Sequence, residues 1–249
     1  MKVEKFVKDR GNKYIVYIDG EKYKLYDDVI VKYSLGYIKT IDEELFKEII
    51  EYNDEMKAYY LSIKTITNKM KCEKEIRDYL KKYDISESVI DKTILKLKEQ
   101  GYLNKDIYLK AYINDAINLS NKGPLKIKND LIKLGFNDDI NDYFKGFNDD
   151  FWKTRINNII EHKLKQNKTK SSYVIRNKIV LELQNLGYNK ETILDCLKEF
   201  KIDDKDAYKK EYEKAYKKYS SKYEGYELEC KVKTYLYRKG FNLGGNYEE

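Results

Sequence analysis

The residue types that most often carry enzyme chemistry are scarce in this sequence and are poorly spaced for it. The single histidine, His162, lies in a basic segment without a cysteine or second histidine at metal-ligand spacing. The three cysteines, Cys72, Cys196 and Cys230, are far apart and form no CxxC pattern. No GxxxxGK[ST] segment is present, which argues against a P-loop for phosphate binding. The inventory predicts a protein that is not an enzyme and that uses no cofactor or metal.

Four Asp-Asp pairs are the remaining group with catalytic potential, because paired carboxylates can transfer protons or bind metals. Each pair falls where a helix is predicted to begin, and acidic residues in the first turn complement the helix dipole. Helix capping therefore explains the pairs better than catalysis does. They are Asp27-Asp28, Asp138-Asp139, Asp149-Asp150 and Asp203-Asp204.

Basic side chains are concentrated in one part of the chain. The net charge is +7, yet residues 1–56 hold 10 basic and 13 acidic residues. By contrast, the segment 151–178 holds eight basic residues and one acidic residue. Such a segment is typical of proteins that bind a polyanion, with an ordinary solvated surface as the open alternative. The eight are Lys153, Arg155, Lys163, Lys165, Lys168, Lys170, Arg176 and Lys178.

Composition predicts a helical protein of the cytoplasm. The 249 residues include 12 glycines and one proline, fewer than turn-rich β proteins need. No apolar run approaches the roughly 20 residues that cross a membrane. The charged start lacks the apolar core of a signal peptide. An odd number of scattered cysteines fits a reducing compartment. We therefore expect a cytoplasmic location and no membrane partner.

The first fifty residues are expected to form a small sheet. Tyr14, Val16 and Ile18 alternate with other residues up to Asp19-Gly20, and a second alternating run follows. Asp-Gly between two such runs is a strong signal for a two-residue type I′ hairpin, because both turn positions need positive φ. Residues 2–7 can supply a third strand. Beyond this region the pattern predicts helices, the first long one capped by Asp42.

The helical part contains an internal repeat of about fifty residues. Its reference positions, Ile76, Ile127, Ile179 and Val232, are separated by 51, 52 and 53 residues. A Leu follows four positions later on the same helix face, then a Gly or Asp that can adopt the left-handed conformation ending a helix. A packing residue and a potential cap for the next helix come after it. The aligned columns are Leu80, Leu131, Leu183, Leu236; Asp84, Gly135, Gly187, Gly240; Ile85, Phe136, Tyr188, Phe241; and Ser86, Asn137, Asn189, Asn242.

Each repeat is predicted to hold three helices, with a tight turn between the second and the third. Additional helical stretches near 105–119, 151–165 and 206–219 supply the first helix of later repeats. The predicted fold is mainly α, with tandem three-helix repeats in an elongated curved array and a small three-stranded N-terminal extension. The expected divisions are the extension and a short helix over 1–50, repeats over 51–103, 104–148 and 149–202, and an incomplete fourth repeat over 203–249.

Tyrosines recur at helical spacing in the last of these stretches. Aromatic side chains of this kind can stack on bases, but the same spacing is typical of a buried helix stripe. We expect Tyr208, Tyr212 and Tyr219 to pack in the core.

The order and spacing of these segments resemble the RecX family of regulatory proteins over nearly the whole chain. The hairpin at Asp19-Gly20 is similar to the N-terminal extension of longer family members. The segments that carry the resemblance are 71–80, 89–98 and 101–104 for the first repeat, 118–124 with Ile127, Leu131 and Gly135 for the second, and 186–189 with Ile193 for the third.

The resemblance implies a modulator of the RecA recombinase. Family members bind the RecA filament on single-stranded DNA and restrain its ATP hydrolysis, strand exchange and stimulation of LexA cleavage, which damps the SOS response. We expect a monomer, and direct contact with DNA stays open. The candidate contact residues are the eight basic residues above together with Arg77. Family members often place arginine in the first helix of the second repeat, where this chain has Asn114 and Ala116.

Two readings from other classes stay open. A general nucleic-acid-binding repeat protein would bind naked DNA with a steep salt dependence and would need no recombinase. A scaffold would use one face of the repeats for an unrelated protein and would ignore both DNA and filament.

Overall fold

The computed structural model describes residues 1–137, 140–166 and 169–242. The chain forms two compact units, Met1–Lys110 and Ala111–Glu249. Within the described residues there are eleven α-helices and one three-stranded sheet. None of the helices in these ranges is long and apolar enough to cross a membrane. The mainly helical fold with a small N-terminal sheet is as predicted.

The sheet of the first unit is antiparallel, with strands in the order β1-β2-β3. The strands are β1 Val3–Lys8, β2 Lys13–Ile18 and β3 Glu21–Tyr26. Asp19 and Gly20 both have positive φ, 49° and 79°, so the predicted hairpin turn is confirmed. Alternate residues of β2 and β3 turn inward because successive side chains point to opposite faces of a sheet. Val16 and Leu25 are fully buried in this way.

Helices of the first unit cover this sheet and continue into the first repeat. They are α1 Asp27–Lys32, α2 Glu43–Asn68, α3 Glu73–Lys81 and α4 Glu87–Glu99. Asp42 caps α2 as predicted, since its carboxylate accepts a 2.8 Å hydrogen bond from the Leu45 N–H. α2 runs without a break across residue 50, so the sheet extension and the first repeat share this helix.

The remaining helices begin with α5 Lys105–Leu119, of which residues 111–119 are in the second unit. The third element of the second repeat is a 3₁₀ helix, Ile140–Phe144, where a full helix was expected. The reason for the shorter helix is local. Within Ile140–Phe144 only Ile140 and Phe144 are buried, so this segment has little apolar surface with which to pack a longer helix. The other helices are α6 Pro124–Lys133, α7 Asp149–Gln166, α8 Ser172–Asn185, α9 Lys190–Lys198, α10 Lys205–Tyr219 and α11 Gly225–Arg238.

The repeat columns have the environments that their residue types predict. The Ile/Val and Leu columns are at most 2% exposed in all four copies. The Gly/Asp column has φ between 56° and 90° throughout. In three copies the next residue closes the turn with a 3.1 Å backbone hydrogen bond to the column leucine, as in Phe136 to Leu131. One tyrosine prediction was wrong: Tyr208 and Tyr219 pack on the core, but Tyr212 is 42% exposed.

Two end-to-end contacts join second helices of neighbouring repeats in the second unit. At the first, the N-terminus of α6 meets the glycine turn that ends α8. The Gly123 N–H donates to the Leu186 carbonyl at 2.6 Å and the Leu125 N–H donates to the Gly187 carbonyl at 3.1 Å. A Cβ on Gly123 would lie 2.7 Å from the Gly187 backbone, so only glycine fits this contact.

At the second contact, the N-terminus of α8 meets the glycine turn that ends α11. The Ser171 hydroxyl donates to the Lys239 carbonyl at 2.9 Å. The carboxylate of Asp204, just before α10, accepts the Ser172 N–H at 2.5 Å. Each contact supplies partners for N–H and C=O groups that a helix leaves unpaired at its ends.

Candidate functional site

The predicted basic segment lies on α7 and α8 of the second unit, two helices that pack against each other and against α9. Its side chains divide into those that make intramolecular contacts and those that face solvent. This division matters because a guanidinium or ammonium group already paired within the protein is less available to an anionic partner.

Arg155 has a packing role in the second unit. Its guanidinium donates to the Ser120 carbonyl at 2.8 Å, which fixes α7 to the end of α5. It also lies 5.8 Å from the centroid of the Phe151 ring. Burial raises the pKa of the neighbouring Tyr188 hydroxyl, and the adjacent Arg155 charge opposes the rise.

Arg176 caps the end of α9. Its two terminal nitrogens donate to the carbonyls of Leu197 and Phe200 at 3.0 and 2.9 Å. A planar guanidinium suits this task because it can satisfy two carbonyl groups that the last helical turn leaves unpaired.

Lys163 and Lys178 share one acidic partner, Glu182. Lys163 makes a short ion pair with the Glu182 carboxylate, and Lys178 lies 3.8 Å from the same group. The hydrogen bond from Lys163 lowers the pKa of Glu182 below its ordinary value. The carboxylate offsets part of the positive charge that the sequence places here.

Arg77 belongs to the first unit and is surrounded by three carboxylates. The distances are 2.8 Å to Glu73, 2.6 Å to Asp91 and 3.4 Å to Glu87. The pairs with Glu87 and Asp91 connect α3 to α4, so the contacts of Arg77 are those of a structural residue. Its contact with a partner stays a prediction.

Three predicted lysines face solvent in the second unit: Lys153 and Lys165 on α7, and Lys170 just before α8. Lys168 lies outside the described residues. The solvent-facing lysines, with the weakly paired Lys178, are the charges that a polyanion can reach most directly.

Side chains with catalytic potential stay apart in the described part of the chain. No cluster of three or more His, Cys, Asp or Glu suited to a metal ion occurs there. His162 is exposed on α7. Burial raises the pKa of the Cys72 and Cys196 thiols, which disfavours the reactive thiolate. Asp27-Asp28 and Asp149-Asp150 lie in first helical turns, whereas Asp138-Asp139 falls outside the described residues.

Sequence reasoning missed the exposed apolar side chains on the outer faces of α6, α8 and α11. Leu125 and Leu181 are 50% and 62% exposed, and Tyr226 is 83% exposed. A second apolar stripe, offset from the buried Ile and Leu columns of the repeat, was the available signal. The stronger periodicity of the buried Ile and Leu columns obscures it in the sequence.

Comparison with known sequences gives a consistent family match. A model of the family described as RecX, first three-helix domain, matches residues 58–102. Regulatory protein RecX from Bacillus cereus is 32% identical over 259 residues, covering 98% of this chain and 93% of that protein. Regulatory protein RecX from Bacillus cytotoxicus is 30% identical over 258 residues, with the same two coverages.

Solved structures agree on the fold. The crystal structure of a regulatory protein RecX superposes with a TM-score of 0.62 at 22% identity, covering 78% of this chain and 98% of that one. The crystal structure of RecX from Lactobacillus salivarius superposes with a TM-score of 0.53 at 27% identity, covering 59% of this chain and 97% of that one.

The fold and the comparisons first define a class, that of regulatory proteins that contain three-helix domains. Within that class the assignment is specific. The chain belongs to the RecX family. The resemblance inferred from the repeat columns is thereby confirmed, and a place in DNA repair and recombination fits the family.

Proposed function

We propose that this protein binds the RecA filament on single-stranded DNA and inhibits its ATP hydrolysis, strand exchange and LexA coprotease activity. The outcome is a damped SOS response and less recombination. The observation that carries the proposal is the match to regulatory protein RecX over 98% of this chain. A regulator of this kind needs no active site of its own, because the recombinase hydrolyses the ATP.

The surface of the second unit supports binding to a polyanionic assembly. Lys153, Lys165 and Lys170 face solvent, and a DNA filament carries dense negative charge. In this proposal the solvent-facing lysines contact phosphate or an acidic protein surface. Arg155 and Arg176 hold the helices that present them.

The proposal includes the division into repeats over 51–103, 104–148 and 149–202, followed by a partial repeat over 203–249. The family match at 58–102 falls inside the first of these. We also propose that a monomer suffices and that the protein acts in the cytoplasm.

The alternative function is general nucleic-acid binding by a helical repeat protein without a recombinase partner. The same exposed lysines favour it, since phosphate contacts need no specific sequence. The two functions differ in whether RecA is required.

The deciding experiment is ATP hydrolysis by the cognate RecA on single-stranded DNA, titrated with this protein. If the protein caps the growing end of the filament, we expect inhibition at well below one copy per recombinase subunit. If it binds all along the helical groove of the filament, we expect inhibition at a nearly stoichiometric ratio. An unchanged rate at saturating protein, with naked DNA bound normally, contradicts the proposal and supports the general binder. If the protein neither inhibits ATP hydrolysis nor binds naked DNA, the scaffold hypothesis is supported.

A further inference from the structure

Six large apolar side chains are exposed on the outer faces of three helices in the second unit. We call this set the outer row. Their exposed fractions run from 49% for Ile132 to 83% for Tyr226. The outer row consists of Leu125 and Ile132 on α6, Tyr173 and Leu181 on α8, and Tyr226 and Tyr237 on α11.

Each member lies on the side of its helix that faces away from the core. On α8, for example, Ile179 and Leu183 are buried, and at about 100° per residue Leu181 falls roughly opposite them. The same spacing places Ile132 about 140° around α6 from the buried Ile127 and about 100° from the buried Leu131, on the solvent side of the helix. The outer row is therefore a second apolar stripe and not the rim of the core.

The end-to-end helix contacts connect the three pairs. Leu125 follows the α6 N-terminus, and its N–H binds the Gly187 carbonyl at the end of α8. Tyr173 is the second residue of α8, as Leu125 is of α6, and its ring carbon Cδ1 lies 3.4 Å from where a Cβ on Gly240 would be. Gly240 closes the turn after Tyr237. The outer row thus continues from α11 through α8 to α6.

The repeat does not require apolar residues at these positions. In the first unit, α3 carries Lys74, Asp78 and Lys81 at the positions equivalent to Leu125, Leu181 and Ile132. Because the first repeat folds with charged residues there, packing does not explain the outer row. Exposed apolar patches without a packing role commonly mark protein-binding surfaces.

The charge around the outer row favours a particular partner. α6 and α8 contain one acidic residue each, Asp130 and Glu182. Asp130 is paired with Lys122 at 2.8 Å, and Glu182 is paired with Lys163. These two acids are thus paired. α11 adds Glu227 and Glu229, and each of the three helices carries more basic than acidic residues. A complementary surface would present apolar side chains within a negatively charged border.

We propose that the outer row is a docking surface for a protein that presents apolar side chains on an acidic surface. Leu125, Ile132 and Leu181 favour protein over nucleic acid, since aliphatic side chains do not stack on bases as aromatic ones do. This inference rests on the proposed function, under which the occupant is a recombinase subunit of the filament. It assigns filament docking to the apolar side chains of the outer row on α6, α8 and α11, with the solvent-facing lysines adding charge attraction.

The test compares the wild-type protein with a double variant, Tyr173→Glu with Leu181→Glu, in binding to RecA filaments on immobilised single-stranded DNA. The matched control is Leu95→Glu on α4, where the side chain is 59% exposed in the first unit. We expect the double variant to lose at least about tenfold in affinity, or about 1.4 kcal/mol, because apolar anchors become charged. The control and the binding of naked single-stranded DNA should not change.

A milder pair, Tyr226→Ser with Tyr237→Ser, repeats the test on α11 if the first variant unfolds. Wild-type affinity in folded outer-row variants would overturn the inference and leave the proposed function standing. Loss of naked-DNA binding in the same variants also overturns it and assigns the row to nucleic acid. If the wild-type protein itself does not bind the filament, the proposed function fails first.

Discussion

The Gly123 N–H donates a 2.6 Å hydrogen bond to the Leu186 carbonyl, so α6 begins where α8 ends. The equivalent contact between Ser171 and Lys239 joins α8 to α11. Neighbouring repeats of the second unit are therefore connected through hydrogen bonds at helix ends as well as through apolar packing. The glycine turns therefore end their own helices and also contact the helix of the neighbouring repeat.

Gly187→Ala should destabilise the second unit strongly. Gly187 has φ of +88°, and a Cβ there would collide with the backbone of Lys126. We expect a loss of about 2–4 kcal/mol in the free energy of unfolding, measured by denaturant titration. Gly101→Ala is the matched control, since Gly101 has φ of +78° with open space around it. It should show the backbone cost alone, roughly 1 kcal/mol. If both variants lose the same free energy of unfolding, the backbone at Lys126 moves to accommodate the added Cβ at little cost.

Arg176→Met should lower stability without altering the salt dependence of filament binding. The variant leaves the Leu197 and Phe200 carbonyls without their donors, which costs roughly 1–3 kcal/mol. Lys170→Met, at an exposed position, should leave stability unchanged and reduce the salt dependence. Thermal unfolding and binding at several salt concentrations measure both effects. A smaller salt slope in the Arg176 variant would contradict its structural role.

Charge reversal at the end of α7 and in the sequence just after it tests the polyanion contact directly. The variant combines Lys165→Glu with Lys168→Glu. Each lost phosphate contact should lower the slope of log affinity against log salt by about 1, and affinity should fall most at low salt. The measurement is filament binding between low and moderate salt. Unchanged affinity and slope would show that the segment is ordinary solvated surface.

Tyr60→Phe should weaken the attachment of α2 to α1 in a pH-dependent manner. The Tyr60 hydroxyl donates to Asp28, and this hydrogen bond, with burial, raises the pKa of Tyr60 to about 12. A raised pKa means that the folded state holds the proton more tightly. The stabilisation is fully present below about pH 10 and is lost as the pH rises towards 12. In denaturant titrations at pH 8, the free energy of unfolding of the wild type should exceed that of the variant by about 1 kcal/mol. This difference should shrink as the pH rises above 10. A gap that persists at pH 12 would contradict the assignment.

Local patterns in the sequence predicted much of the fold, because their causes are local. Asp19-Gly20 predicts its turn from two residues, and the Leu183 to Gly187 spacing predicts a helix end from five. The end-to-end contacts escaped prediction since Gly123 and Gly187 are 64 residues apart. Likewise, nothing near Arg176 in the sequence indicates that the Phe200 carbonyl lies within its reach. The basic segment was visible as composition, but which of its charges are paired depends on tertiary structure.

The end-to-end contacts have a consequence for how binding experiments are interpreted. The C-terminal end of α8 carries partial negative charge and the N-terminal end of α6 partial positive charge, so their juxtaposition is attractive without any ionised side chain. Gly123 and Gly187 are buried, and mobile ions screen a buried hydrogen-bonded contact much less than a surface ion pair. These contacts between repeats should therefore persist at salt concentrations that would dissociate the proposed complex with the filament. A lower affinity at high salt would then indicate that the partner dissociates, and not that the repeats separate from one another.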